Sequence, residues 1–135
     1  MAADVIAGRD AAATADGPLS PRVVFTDPTV AAVGHTLASA QEAGLDVRAV
    51  DHPPDAVAGG SFHGRNAPSL ARLVVDERRR VLVGATFAGP DLSEFLHAAT
   101  IAVIGEVPLD RLWHAIPAFP TRSEVWLRLL EKYGL

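Results

Sequence analysis

Two kinds of apolar pattern divide the chain, a strand-like one up to about residue 90 and a helical one after it. The run RVVFT (22–26) is β-branched and aromatic, and reads as a strand closed by a turn at Asp27-Pro28. A second extended run follows, VAAVG (30–34). Thr36 stands where it can cap a short helix, LASAQEAG, with Gly44 as its stop. DVRAVDH (46–52) alternates and predicts another strand. Residues 53–68 are rich in Gly, Pro and small side chains and predict a long loop. LARLVVD (70–76) and VLVGATFAG (81–89) flank ERRR and form the clearest hairpin, and Gly84 inside its second strand predicts a bulge or a close neighbour.

Helical spacing takes over at Asp91, a candidate cap for LSEFLHAATIAVIG (92–105). The stretch from Ala98 to Ile104 is apolar on every side. A sheet can cover one side of such a helix, and the other side needs a second cover, from this chain or from a partner. Pro108 opens a short helical turn, PLDRLWHAI. In RSEVWLRLLEKY (122–133), Val125, Trp126, Leu129, Leu130 and Tyr133 share one face, with Arg128, Glu131 and Lys132 opposite. Hairpin-linked strands followed by helices predict an α+β sandwich, an antiparallel β-sheet with helices packed on one face. At the other end, AADVIAGRD (2–10) reads as a short helix stopped at Gly8, and 11–21 as a linker.

Composition narrows the classes. The 135 residues make one ordinary domain, and 49% of them are hydrophobic, enough for a core without disulfides or metals. Cysteine is absent, which excludes a disulfide scaffold and thiol chemistry from this chain and fits a cytoplasmic setting. With a net charge of −4 and basic residues clustered only at Arg78, Arg79 and Arg80, the expectation is no nucleic-acid partner; those arginines read as a solvated turn. No run is long and apolar enough to span a membrane, so no membrane partner is expected.

The chemistry-bearing residues do not assemble into a site by spacing. His35, His52, His63, His97 and His114 lack metal-ligand spacing, so no metal is expected; His97 and His114 read as helix-surface or interface residues. The glycine-rich stretches 58–66 and 84–90 match neither dinucleotide nor triphosphate loops, and no serine lies in a nucleophile-elbow pattern. What is left is PAFPTRSE (117–124). Thr121 and Glu124 have capping-box spacing, with the hydroxyl accepting from the backbone of residue 124 and the carboxylate reaching back. Pro120 sets the approach to the cap, and Phe119 reads as a hydrophobic plug.

Three blocks together resemble a known family: PRVVFTDPTVAAVGHT (21–36), LVVDERRRVLVGATFAGPDLSEFLHAATIAV (73–103) and FPTRSE (119–124). They are similar to the C-terminal dimerisation domain of the pyridine nucleotide-disulphide oxidoreductases, which include lipoamide dehydrogenase, glutathione reductase and mercuric reductase. The resemblance runs from about Pro21 to Tyr133. It implies that 21–135 are the dimerisation domain and that 1–20 are the tail of a preceding flavin domain plus a linker. FAD- and NAD(P)H-binding domains would lie upstream, and this chain alone would bind no cofactor and catalyse nothing. The partner would be a second copy in a two-fold homodimer, with the helix at 98–104 in the contact. The backbone at Phe119 and Pro120 would lie near the partner subunit's flavin.

At one position the chain departs from the family pattern. The motif is H-P-T-x-S-E, with a His that exchanges protons beside the flavin and a Glu that orients it. Here Phe119 holds the His position, whereas Pro120, Thr121, Ser123 and Glu124 match. Phenylalanine moves no proton, so Glu124 is the one remaining catalytic candidate. The resemblance then implies an oxidoreductase that does not reduce disulphides by the dithiol route and passes electrons to a quinone or another small acceptor. One other reading stays open, a free-standing self-association module with this fold; a small hydrolase or metal enzyme would need a clustered site around Glu124 and His114, which their spacing does not favour.

Overall fold

The computed structural model describes residues 2–11, 17–63 and 68–135, with backbone alone at 61–63. Its centre is a five-stranded antiparallel sheet in the order β1-β2-β5-β4-β3. The strands are β1 (Arg22–Val24), β2 (Val30–Gly34), β3 (Val47–His52), β4 (Leu70–Asp76) and β5 (Val81–Ala88). The helices are α1 (Ala2–Ile6), α2 (Leu37–Glu42), α3 (Leu96–Ile104), α4 (Leu109–Trp113) and α5 (Glu124–Tyr133). The α+β class is as expected. Part of the expected linker, residues 12–16, lies outside the described residues, as do residues 64–66 of the first glycine-rich stretch.

Strand alternation builds the main core. Ala31 and Val33 of β2, Ala71, Leu73 and Val75 of β4, and Leu82, Ala85 and Phe87 of β5 point to one face. There they meet Leu96, Ala99, Ala102 and Val103 of α3, and Val125, Leu129, Leu130 and Tyr133 of α5. Among the described residues, the opposite face carries only α2, whose Ala40 packs on Val74, Val81 and Val83. The sheet is thus covered by three helices on the expected face and, at one end of the other, by a six-residue helix. Thr36 caps that helix, accepting from Ser39 N at 3.1 Å.

The spacing Leu82 to Ala85 departs from strict alternation because the register skips Val83, with Val74 opposite Gly84 and Val75 opposite Leu82. Gly84 meets both parts of its expectation. It lies at this irregularity, and a Cβ there would stand 1.9 Å from the His35 carbonyl oxygen. The same crossing presses Gly34, at φ +76°, onto the Val83 carbonyl. These two glycines let β2 turn off the sheet into α2, with His35 N donating to Val83 O at 2.8 Å.

Three local expectations are corrected. The first strand ends at Val24 rather than Thr26. Asp91 does not cap a helix from 92: its φ of 56° is left-handed, not the extended backbone a cap requires, and a 3-10 turn (Leu92–Phe95) precedes α3. Thr121 does not cap α5, whose flanking residue is Ser123. The Thr121 hydroxyl donates instead to Ala118 O at 2.6 Å and is engaged in the preceding loop.

Candidate functional site

The segment from Ala115 to Ser123 joins α4 to α5 and holds every residue singled out by motif except Glu124. Two cis peptides occur in the described residues, and Phe119-Pro120 is one of them. Phe119 is 78% exposed, so it is not the internal plug that its apolar side chain suggests. Pro120 is exposed beside it. The backbone around this tip is held from below. Glu124 opens α5 but is buried, and its Oε1 accepts from Thr121 N at 3.0 Å and from Gly59 N at 3.3 Å. The carboxylate half of the capping box therefore forms and also ties in the 53–63 loop. Gly59 lies so close that a Cβ would stand 2.2 Å from the Thr121 carbonyl carbon.

Arg122 supplies a second tie. Its Nη1 donates to Pro90 O at 2.9 Å, and its guanidinium lies 5.8 Å from the Phe95 ring centroid. Burial holds its pKa below the usual arginine value. Sequence reasoning passed over Arg122, because the variable position of the motif carries no signal for a contact made across the fold. His114 ends α4 and is exposed, as is His97. Among the described residues, no group of three or more His, Asp or Glu side chains is placed to hold a metal ion. Phe119 carries no titratable group, and Glu124 is buried with its Oε1 on two backbone amides.

Beside the tip lies an apolar groove of about 360 Å³, lined by Ala98, Ile101, Leu112, Pro117, Trp126 and Leu130 among others. It runs between α3, α4 and α5. The sheet covers Ala99, Ala102 and Val103 of α3, but Ile101 is 57% and Ile104 41% exposed. Ile116, in the loop above, is 84% exposed. Of the two covers α3 was expected to need, the described chain supplies one.

Residues 20–130 match the model of the pyridine nucleotide-disulphide oxidoreductase dimerisation domain. The chain belongs to that family. It is 30% identical over 131 residues to the dihydrolipoyl dehydrogenase of Bacillus subtilis, covering 97% of this chain and 27% of that protein. The dihydrolipoyl dehydrogenase of Mycobacterium leprae is 33% identical over 125 residues, 92% of this chain and 26% of its own length. Among solved structures, LpdA from Mycobacterium tuberculosis superposes with a TM-score of 0.83 at 16% identity, over 99% of this chain and 29% of that one. The chain thus spans about a quarter of the length of the relatives it matches. The uncovered apolar side of α3 is the kind of surface a dimerisation domain presents to its copy.

Proposed function

We propose that this chain is the C-terminal homodimerisation domain of a longer FAD-dependent NAD(P)H oxidoreductase, with 1–20 as the tail of the preceding flavin domain and its linker and 21–135 as the domain proper. The observation that carries the dimer is the exposed side of α3 and the groove beside it: Ile101, Ile104 and Ile116 stand in solvent around an apolar depression. A two-fold contact presents the same patch from both subunits, so one such surface is enough to close a dimer. Flavin and nicotinamide would supply the hydride chemistry from domains outside this chain. Phe119 and Pro120, exposed and apolar, suit a place against a flat ring of the partner subunit, and they suit no proton transfer. The proposed reaction is therefore NAD(P)H oxidation by a quinone or another small acceptor, in a cytoplasmic enzyme, with the isolated domain inactive.

The dimer is tested by light scattering behind gel filtration across a concentration series. A persistent species at twice the 14.2 kDa chain mass is expected, and a monomer at every concentration would count against it. The reaction is tested on the longer protein, which should oxidise NAD(P)H with quinones and leave lipoamide and glutathione disulphide unreduced. Turnover of either disulphide by the unaltered protein would overturn the reading of Phe119. A reading frame with no flavin domain ahead of this chain would favour a free-standing self-association module.

A further inference from the structure

The tip that carries Phe119 and Pro120 is tied to the fold on two sides. On one side Glu124 holds Thr121 N and Gly59 N. On the other, Arg122 crosses to the turn after β5, where its Nη1 donates to Pro90 O at 2.9 Å. Its guanidinium lies 5.8 Å from the centroid of Phe95, and the Phe95 ring meets Phe87 edge-on, with 5.7 Å between centroids. Phe87 has no exposed surface, so the far end of Arg122 rests against a fixed part of the core. Stability does not account for this side chain. The Arg122 Nε is buried and has no hydrogen-bond partner among the described residues, a state that costs free energy. Burial lowers its pKa, and Asp91 and Asp55 pull the other way. An unbranched apolar side chain of similar length would fill the same space without an unsatisfied donor. What it would lack is the bond to Pro90 O, and with it a fixed distance between the tip and the turn.

We propose that Arg122 is a positioning residue: through Pro90 O and Phe95 it sets where the Phe119-Pro120 tip stands, and so how that tip closes the acceptor side of the partner subunit's flavin. The inference rests on the proposed function and adds the group that sets the geometry of its acceptor site. The guanidinium is engaged at the turn after β5, so Arg122 acts on the tip through the backbone. Only Pro120 and Thr121 separate it from Phe119. Thr121 is itself fixed, with its N–H on Glu124 and its hydroxyl on Ala118 O. A shift of Arg122 therefore passes to Phe119 with little slack. Displacing a reacting molecule by about 1 Å can cost about a hundredfold in rate, so a loosened wall is felt at the acceptor. The hydride step from nicotinamide to flavin belongs to domains outside this chain and does not depend on where the tip stands.

Two variants separate this role from a merely structural one. Arg122→Met keeps the stem against Phe95 and removes the bond to Pro90 O, whereas Arg122→Lys keeps a donor for that oxygen. In the chain by itself, both should keep a urea midpoint close to wild type. Backbone amide order parameters at Ala118 and Phe119 should match those of α5 in wild type and in Arg122→Lys, and fall below about 0.6 in Arg122→Met. In the longer protein, stopped-flow absorbance reads the two half-reactions apart. Oxidation of the reduced flavin by a benzoquinone should slow about tenfold in Arg122→Met and less than about twofold in Arg122→Lys, with flavin reduction by NAD(P)H unchanged in both. Equal slowing of both half-reactions, no slowing in Arg122→Met, or an Arg122→Lys protein as slow as Arg122→Met overturns the proposal. So does an unchanged order parameter at Phe119 in Arg122→Met. An Arg122→Met chain that unfolds far more readily would assign Arg122 to stability and overturn it too. A wild-type protein whose reduced flavin does not react with the quinone sinks the acceptor reading instead, and the order parameters then decide the positioning role alone. A reading frame without a flavin domain overturns both.

Discussion

Glu124 accepts from two backbone amides that belong to different segments, Gly59 N and Thr121 N, and it does so from a buried position. Replacing it by Ala leaves both donors without an acceptor. Glu124→Ala should therefore destabilise the chain by about 2–4 kcal/mol, with Glu124→Gln, which keeps a carbonyl oxygen, costing clearly less. Urea unfolding followed through Trp126 checks both, and equal costs would mean that the charge rather than the acceptor is what counts. His52 makes a separate case. Among the described residues its buried Nε2 has no hydrogen-bond partner, and burial first, then the charges of Lys132 and Arg128, hold its pKa below the usual 6.5, with Asp55 and Glu131 pulling the other way. The unfolded chain then binds a proton at higher pH than the folded one does. The stability that His52 contributes is complete above about pH 6.5 and is lost as pH falls from there through the folded pKa. Urea midpoints at pH 8 and pH 5 should differ in wild type and differ less in His52→Leu.

Strand elements here depend on two glycines as much as on their apolar faces. The β2–α2 corner crosses β5 so closely that Gly84 and Gly34 each leave less than a van der Waals distance for a side chain. Gly84→Ala should cost about 3 kcal/mol or more, because the obstacle is the His35 backbone and cannot rotate away. A circular-dichroism melt within a few degrees of wild type would contradict that. Along α5 the wheel pattern reads out directly: Val125, Leu129, Leu130 and Tyr133 are buried, and Arg128, Glu131 and Lys132 are exposed. Leu129→Ala should lose about 2–5 kcal/mol in the same urea assay, because Leu129 has no exposed surface and its removal leaves a cavity. In α3 the pattern alone was uninformative. A helix apolar all round does not say which side meets the sheet, and packing places Ala99, Ala102 and Val103 there and leaves Ile101 and Ile104 out.

For the whole molecule the consequence is an asymmetric distribution of exposed apolar surface. One area gathers around the α3 groove, and the other lies along the open half of the sheet. Because Ile101 is exposed, Ile101→Glu should leave the chain's urea midpoint nearly unchanged while abolishing the dimer, a separation of folding from association that light scattering and unfolding can read on one sample. A parallel loss of stability would mean that the chain folds only as a dimer.

Much of this was determined by the sequence alone. The strands, the hairpin and the buried face of α5 follow from local periodicity, since a side chain's direction repeats every two residues in a strand and every 3.6 in a helix. The family followed from ordered motifs, which are legible without coordinates. Tertiary structure decided what depends on distant neighbours. It showed that Asp91 is left-handed and that the Thr121 hydroxyl is turned to Ala118. It joined Glu124 to Gly59 and Arg122 to Pro90, contacts that bridge 65 and 32 residues. It also decided which side of α3 stays open and that the described residues leave half of the second sheet face uncovered. Those outcomes arise from how much space the packed elements leave, and no local pattern encodes that space.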